Sequence, residues 1–274
     1  MFCFSRIPEF KEGRFTFEFE TSKFYFYRVF FDKQPTEYAL KVFKNTDDAK
    51  RSYLREKTFL SKLKNPHILK IGPENYLKKV FHHPYLLVEY AQSKDLFYLV
   101  RDLKSLDEEV ARTYFHQVIK GIEYIHKKKI AHMDIKLENL FLDKDYSIKV
   151  GDFDLAQYFE EKCQKGKGTR NYRAPEVIRR KCQNFGAADI YSIGVVLFLM
   201  LLGRFPFAER KVNNTIELDL YATFQEDPDA FWNYHLTHSN KTVSQDFKDL
   251  IEAMLELDPN KRRSEEHTSE LQSL

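Results

Sequence analysis

Alternating hydrophobic and polar positions in the first 45 residues predict β-strands. In "RFTFEFE", residues 14–20, Phe15, Phe17 and Phe19 occupy every second position, the period of a half-buried strand. The runs "FYFYRVFF" and "EYALKVF" follow, rich in aromatic and β-branched residues and separated by the turn-like "DKQPTE". We therefore expect three consecutive strands, then shorter strands around residues 68–71 and 85–89.

The apolar spacing becomes helical in other parts of the chain. Residues 47–63 predict a helix that ends before Pro66, with apolar positions at Tyr53, Leu54, Leu60 and Leu63. Residues 107–129 predict a longer amphipathic helix that opens with three acidic residues. The apolar run at 190–203 is shorter than the about 20 residues that span a bilayer, so we expect a buried helix there. Helical patterns continue to Leu257.

These patterns predict an α+β fold with two lobes. The β-rich N-terminal lobe with one main helix covers residues 1–90, and the α-rich C-terminal lobe covers 91–263, with a hinge at Glu89 to Ala91. The segment "RSEEHTSELQS" resembles the translation of a sequencing adapter. We therefore treat residues 264–274 as a non-native tail and expect the C-terminal lobe to be incomplete at its end.

Charge and cysteine content narrow the class of protein. The formal net charge is +3, from 44 basic and 41 acidic side chains. This balance gives no strong electrostatic case for a nucleic-acid or membrane partner. Three widely separated cysteines, Cys3, Cys163 and Cys182, suit thiols in a reducing compartment. With no secretory leader pattern at the start of the chain, we expect a cytoplasmic protein, with the nucleus as the alternative location.

Residues suited to phosphate chemistry gather in "AHMDIKLENLFL", residues 131–142, and in "GDFDLA", residues 151–156. The first motif places a carboxylate, an ammonium and an amide on one short loop, and the second adds another carboxylate. Upstream, a lysine lies on the third predicted strand and a glutamate on the following helix. These residues are Asp134, Lys136, Asn139, Asp152, Lys41 and Glu56.

Taken in order, these motifs resemble the eukaryotic protein kinase catalytic domain of the serine/threonine type, with the calcium/calmodulin-kinase-like group most similar. The resemblance runs from about Phe15 to Arg262 and also includes "GTRNYRAPE", "DIYSIG", "GRFPF" and "LDPNKR". Lys136 and Thr169 resemble the serine/threonine branch in particular. The resemblance implies a two-lobed kinase fold, ATP and Mg²⁺ as cofactors, and a protein as the substrate.

The resemblance also implies a role for each site residue. Asp134 would accept the proton of the substrate hydroxyl, and Lys136 would neutralise charge on the transferred phosphate. Asn139 and Asp152 would bind Mg²⁺, which prefers oxygen ligands. Lys41 would hold the ATP phosphates, and Glu56 would keep it aimed. The adenine would lie among Phe26, Ala39, Glu89, Ala91 and Phe141.

Further matching residues would support the site or select the substrate. Leu60, Ile71, His132 and Phe153 would stack into a spine between the lobes. Asp189 would hold the backbone of the catalytic loop, and Glu176 would pair with Arg262. Asp95 and Glu138 match positions that, in some members, contact an arginine three residues before the acceptor.

The sequence departs from the family pattern in its nucleotide loop and its activation loop. Phe19, Thr21 and Phe24 stand where glycines let backbone amides approach the phosphates, so we expect weak ATP affinity. Met133 replaces the arginine that usually contacts a phosphorylated activation loop. That loop carries no serine or threonine before Thr169. We therefore expect activity without activation-loop phosphorylation.

A third departure is Asp154, which stands where the family has a glycine after Asp152 and Phe153. We expect a stiffer turn, less able to move Phe153 outward, with the Asp154 carboxylate facing solvent rather than a metal-bound water. The leading hypothesis is an active protein kinase. The alternative is a pseudokinase that serves as a binding scaffold, which the glycine-free loop favours. A small-molecule kinase is disfavoured, because "GTRNYRAPE" resembles a platform for protein substrates.

Overall fold

The computed structural model describes residues 13–32, 36–73, 77, 83–162, 168–207, 210–212 and 215–264. Cys3, Cys163 and most of the proposed non-native tail lie outside these residues. The strands are β1 (Gly13–Glu20), β2 (Phe24–Phe31), β3 (Glu37–Phe43), β4 (Tyr85–Glu89), β5 (Ile130–Ala131), β6 (Leu140–Leu142), β7 (Ile148–Val150), β8 (Gln157–Tyr158), β9 (Arg210–Val212) and β10 (Thr215–Leu218). The helices are α1 (Asp47–Leu60), α2 (Leu96–Leu103), α3 (Glu108–Lys127), α4 (Pro175–Ile178), α5 (Phe185–Leu202), α6 (Leu220–Glu226), α7 (Pro228–Ser239) and α8 (Gln245–Leu255).

The N-terminal lobe is an antiparallel sheet of strands β1 to β4 in sequence order, with α1 against it. Tyr27, Val29, Leu40 and Val42 are buried in a small core on one face of this sheet. The opposite face carries Ala39 and Phe43, which belong to the large core that continues into the helical lobe. Successive residues on β2 and β3 therefore point alternately into the lobe and towards the junction between the lobes.

Strand β1 forms as predicted, but its aromatic residues do not share one buried face. A β-bulge between Phe17 and Phe19 shifts the register, so that Phe17 lies opposite Tyr27 whereas Phe19 lies opposite Phe26. Phe17 is 53% exposed and Phe19 is 48% exposed. The prediction of a half-buried strand is therefore wrong for these two residues. A bulge changes which face a side chain occupies, and period-2 counting cannot register that change.

The C-terminal lobe is built around α5. This helix is the candidate membrane span by length and composition among the described residues, and 94% of it is buried inside the protein. It packs mainly against α3 and α8, and Gly203 ends it in the left-handed conformation. The predicted buried helix is confirmed, although it begins at Phe185, where Asn184 caps it through the Ala187 amide.

Three local predictions differ from the structure. The expected strand at 68–71 consists of isolated bridges, from Ile68 to Val150 and from Ile71 to Val88. The region after α5 includes the short hairpin β9–β10, where the sequence predicts helices. In α1, Leu54 is 61% exposed, because only part of its apolar set meets the sheet. The conformation of a short segment, or of one at the edge of a sheet, depends on the residues packed against it more than on its own hydrophobic periodicity.

Candidate active site

Asp189 of α5 holds the backbone of the catalytic loop, residues 131–142, which carries Asp134, Lys136 and Asn139. One carboxylate oxygen of Asp189 accepts hydrogen bonds from the His132 amide at 2.7 Å and from the His126 ring at 3.0 Å. The other accepts from the Met133 amide at 2.8 Å. Met133 has a left-handed φ of 65°, which this buried carboxylate stabilises. The prediction that Asp189 holds the loop backbone is confirmed.

Asp134 lies at the centre of a buried polar cluster. Its Oδ1 accepts hydrogen bonds from the amide and the hydroxyl of Thr169, at 2.7 and 2.9 Å. Its Oδ2 accepts from Lys136 Nζ at 2.8 Å and from Asn139 Nδ2 at 3.3 Å. Lys136 also donates to the Thr169 hydroxyl at 3.0 Å. Residues from two distant segments thus fix one carboxylate in a single orientation.

Gly168 makes the approach of these two segments sterically feasible. Its φ is +83°, and a Cβ at this position would lie 2.6 Å from the Met133 carbonyl oxygen. The Gly168 carbonyl in turn accepts a hydrogen bond from Arg173 Nε at 2.7 Å. A glycine is therefore required where the segment that carries Thr169 passes over the catalytic loop.

A second group of charges joins the two lobes. Lys41 Nζ on β3 donates to Glu56 Oε1 of α1 at 2.7 Å and to Asp152 Oδ1 at 3.2 Å. Asp152 has a left-handed φ of 62°, and the amide of the preceding Gly151 donates to the Asn139 carbonyl at 3.0 Å. The structure therefore brings Lys41, Glu56, Asp152 and Asn139 into one region, although they are scattered over about a hundred positions of the sequence.

Burial and opposite charges shift the pKa values of these groups. Burial disfavours the charged ammonium, yet Asp152 and Glu56 together raise the pKa of Lys41 above its ordinary value. Burial also opposes ionisation of Asp152, but Lys41 lowers the pKa of that carboxyl below its usual range. For Glu56, burial raises the pKa despite the nearby Lys41. At neutral pH, Lys41 is therefore a cation and Asp152 is an anion.

The donor set suits a hard divalent cation that is shared with a phosphate. Asp152 offers carboxylate oxygens, and Asn139 donates from Nδ2 to the Asp134 carbonyl at 2.8 Å, which leaves Oδ1 as its metal-binding atom. Within the described ranges, no three His, Cys, Asp or Glu side chains cluster as a metal site. These residues fit a Mg²⁺ ion that takes its remaining ligands from a nucleotide and water.

The residues predicted around the adenine lie at the junction of the lobes. Phe26 and Ala39 lie on the same face of the paired strands β2 and β3, which is also the face of Lys41. Glu89 ends β4, Ala91 lies two residues beyond, and Phe141 is half-buried on β6. Phe26 stacks on Phe19 with ring centroids 4.8 Å apart. The proposed adenine site is therefore bordered by two stacked aromatic rings on the side of the N-terminal lobe.

Two of the predicted supporting contacts are observed, between His132 and Phe153 and between Glu176 and Arg262. The rings of His132 and Phe153 lie 4.8 Å apart, and both residues are fully buried. Leu60 and Phe153 are buried members of the main core, against which Ile71 packs. Arg262 donates to both carboxylate oxygens of Glu176, at 2.6 and 3.1 Å.

Sequence reasoning missed two contacts made by charged residues. Arg55 of α1 donates to the Ala156 carbonyl at 2.6 Å and pairs with Glu161 at 3.2 Å. Lys23 of the β1–β2 hairpin pairs with Asp154 Oδ2 at 2.7 Å. Each contact joins residues more than one hundred positions apart, so no local pattern announces it. No sequence signal links Lys23 with Asp154, although Asp154 itself departs from the family motif.

The expectation that Asp154 faces solvent is therefore wrong. Its side chain is 14% exposed, and Ser52 Oγ of α1 also donates to Oδ2, at 3.4 Å. Asp154 is absent from the described non-glycine residues with positive φ, which include Asp152 and Met133. The turn therefore does not need the left-handed backbone for which glycine is favoured, and aspartate fits it without that penalty.

Comparison with known proteins agrees with this arrangement. The profile of the family described as the protein kinase domain matches residues 25–272. CBL-interacting protein kinase 26 of Oryza sativa subsp. japonica is 36% identical over 77% of this chain and 40% of its own length. Probable serine/threonine-protein kinase KCC4 of Saccharomyces cerevisiae is 34% identical over 76% of the chain and 19% of its own length.

A third relative is the SNF1-like protein kinase ssp2 of Schizosaccharomyces pombe, which is 37% identical over 58% of this chain and 27% of its own length. The chain thus spans less than half the length of each of these relatives. The family match covers most of the chain and includes the polar cluster around Asp134 together with the Lys41, Glu56 and Asp152 contacts. The chain belongs to the protein kinase family, and its relatives are serine/threonine kinases.

Proposed function

We propose that this protein is an active serine/threonine kinase, which transfers the γ-phosphoryl group of ATP to a hydroxyl of a protein substrate. The observation that carries the proposal is the fixed carboxylate of Asp134, held by Lys136, Asn139 and Thr169. In phosphoryl transfer most of the catalysis comes from positioning and charge stabilisation. A preformed cluster of this kind supports catalysis rather than a purely scaffolding role.

The residues divide the chemistry among them. A substrate hydroxyl that displaces Thr169 from Asp134 would be oriented for attack and would give its proton to this carboxylate. Lys136 would move with the transferred phosphate and offset its charge. Lys41 would bind the other phosphates while Glu56 fixes its position. Mg²⁺, held by Asp152 and Asn139, would supply neutralisation of charge on the phosphate oxygens.

Phosphate transfer from radiolabelled ATP to a generic protein substrate tests this proposal. We expect Asp134→Asn and Asp152→Asn each to lower the rate by a factor of about 100 or more, because each removes a charge at the reacting centre. The matched control is Asp145→Asn, which alters an exposed aspartate paired with its neighbour Lys144. Equal background transfer by the wild type and all variants would favour the pseudokinase scaffold instead.

Activity without activation-loop phosphorylation is supported by the Arg55 contacts. The Arg55 guanidinium faces this segment from α1. It already donates hydrogen bonds to the Ala156 carbonyl and to the Glu161 carboxylate, so it needs no phosphate as a partner. Met133 is buried and offers no cation that could read a phosphate. We expect phosphatase treatment to leave the rate unchanged and Arg55→Gln to lower it severalfold. Loss of activity when a phosphate is removed from the loop would contradict this part of the proposal.

A preference for basic substrates is supported by Asp95 and Glu138. Burial, with the charge of Glu138 as a further contribution, raises the pKa of Asp95 to about 6, although its bond from the Tyr98 amide opposes the shift. An arginine would be attracted to ionised Asp95, so enrichment for arginine three residues before the acceptor should weaken as pH falls through about 6. A peptide library screened at pH 7.5 and 5.5 measures this. No enrichment at either pH would reject the preference.

Weak ATP affinity is supported by the position of Phe24, whose ring centroid lies 5.0 Å from Lys41 Nζ. The ring stands beside the ammonium that would bind phosphate, where the family has a glycine. We expect Phe24→Gly to tighten ATP binding severalfold in an equilibrium titration. A wild-type dissociation constant in the low micromolar range would contradict weak affinity.

We also propose a reducing compartment, the cytoplasm or the nucleus, as the place where the protein works. The support is Cys182, a buried thiol that lies 3.6 Å from the Asn184 carbonyl oxygen. Imaging of the full-length tagged protein in cells tests this location, and a secreted product would reject it.

A further inference from the structure

Two departures from the kinase pattern meet in the structure. Lys23 lies at the tip of the glycine-free β1–β2 hairpin, and Asp154 stands in the position of the usual glycine after Phe153. Lys23 Nζ and Asp154 Oδ2 are 2.7 Å apart, although the residues are separated by 131 positions. The ion pair therefore ties the hairpin of the N-terminal lobe to the turn that carries Asp152.

The hairpin tip is ordered by a side chain where glycines would leave it mobile. Thr21 Oγ1 accepts hydrogen bonds from the amides of Lys23 and Phe24, at 3.2 and 3.1 Å. The Lys23 carbonyl accepts from the Lys44 amide at 2.8 Å. These bonds fix the backbone of Lys23 from both sides. Only the side-chain entropy of Lys23 then remains to be lost when the ion pair forms.

Asp154, the other partner of the ion pair, is also fixed by a neighbouring side chain. Ser52 Oγ of α1 donates to the same carboxylate oxygen that Lys23 binds, at 3.4 Å. The side chains of Lys23 and Asp154 are 28% and 14% exposed. Burial lowers the pKa of Lys23, but the bond to Asp154 and the charges of Asp154, Asp48 and Asp152 raise it overall. A partly buried pair of this kind is stronger than one on an open surface.

The contact lies next to the groups that would bind the nucleotide phosphates. Phe24 follows Lys23 and places its ring beside Lys41 Nζ. Lys41 is itself bonded to Glu56 and Asp152. Lys23 and Lys41 are thus each paired with carboxylates of the same chain, and the hairpin is held close to the expected phosphate site.

We propose that Lys23 and Asp154 form a latch that holds the β1–β2 hairpin closed over the phosphate end of the nucleotide site and must open before ATP enters. This inference rests on the proposed function, since it concerns the regulation of the same site. It makes the glycine-free loop a gate with a defined closing contact. Breaking the latch should free the hairpin and speed nucleotide entry.

Two measurements on the full chain test the latch with the variants Lys23→Met, Asp154→Gly and the double variant. The first is backbone hydrogen exchange of residues 19–26 without nucleotide. The second is the association rate and affinity of a fluorescent ATP analogue. The matched control is Lys144→Met, because Lys144 pairs with its neighbour Asp145 at 3.1 Å on the exposed turn between β6 and β7, away from the hairpin.

We expect faster exchange of the hairpin amides in both single variants and an association rate raised by about three- to fivefold, as for the loss of an ion pair of about 1 kcal/mol. The double variant should match the single variants, because either substitution breaks the same contact. The control should behave as the wild type.

Three results would overturn the latch. Unchanged hairpin exchange in both single variants would show that the pair does not hold the hairpin. Additive effects in the double variant would show that the two residues act separately. Weaker nucleotide binding in Lys23→Met alone would make Lys23 a phosphate ligand. If the wild type bound no nucleotide, the proposed function would fail, and the exchange measurement would still decide whether the latch exists.

Discussion

The catalytic loop and the β1–β2 hairpin serve the same site but are built in opposite ways. Around the loop, Asp134, Asn139 and Asp189 are buried, and each is bonded to several partners. The hairpin instead exposes Phe17 and Phe19 to solvent and is tied to the C-terminal lobe by a partly buried ion pair. The loop keeps Asp134, Lys136 and Asn139 of the family motif, although Met133 replaces its arginine, whereas the hairpin lacks all three glycines.

The difference shows where substitutions are tolerated. A buried polar group that loses a hydrogen-bond partner keeps its full desolvation cost. Single substitutions among the bonded residues of the loop should therefore be poorly tolerated. A solvent-exposed hairpin exchanges protein contacts for water at little cost, and a new pair such as Lys23 with Asp154 can arise there. Three substitutions test this difference between the loop and the hairpin, and they are given in order of decreasing effect.

The largest loss of stability is expected for Glu176→Gln, because Glu176 is buried. The substitution would leave Arg262 buried without its counter-charge, since both oxygens of Glu176 bind that guanidinium. We expect the free energy of unfolding to fall by about 3 kcal/mol or more, measured by urea denaturation. Asp102→Asn is the control, because its ion pair with Arg101 is exposed. A loss no larger than that of the control would show that burial does not set the cost.

A smaller, pH-dependent effect is expected for His235, which is buried between the rings of Phe198 and Phe231. Burial lowers its pKa from 6.5 to about 4, with Arg204 and His238 acting in the same direction and its bond to the Pro206 carbonyl opposing them. The unfolded chain therefore binds this proton more readily, and stability falls as pH drops from 6.5 towards about 4.

The loss from His235 should reach at most about 1.4 kcal/mol per pH unit. His235→Gln, which keeps a hydrogen-bond donor, should flatten the dependence of the melting temperature on pH between 6.5 and 4.5. His116→Gln offers a comparison at a half-buried histidine with a smaller expected change. Parallel pH profiles for the wild type and His235→Gln would contradict the prediction.

The smallest effect is expected for Phe17→Thr on the hairpin. Phe17 is exposed and meets Tyr27 only edge to face, with ring centroids 5.6 Å apart. Threonine retains the strand preference, so we expect the free energy of unfolding to change by less than about 0.5 kcal/mol. Phe43→Thr, in the buried core of the same sheet, should cost several times more in the same assay. A large loss for Phe17→Thr would mean that the hairpin is more tightly integrated than its exposure indicates.

The two-lobed architecture, the order of the main strands and helices, and the charged residues of the site could all be predicted from the sequence. Periodicity predicts long amphipathic elements because they bury one face, as α3 does. It did not predict the bulge beside Phe17, the hairpin β9–β10 or the exposure of Leu54. These features depend on what packs against each element.

Which charged residues contact each other could be seen only in the fold. No motif or periodicity links Lys23 with Asp154 or Arg55 with Glu161, and the fold places each pair within hydrogen-bonding distance. Electrostatic pairing depends on separation in space and on burial, neither of which follows from separation along the chain. For this reason the chemistry of the site could be predicted from its motifs, whereas the contact across the hairpin could not.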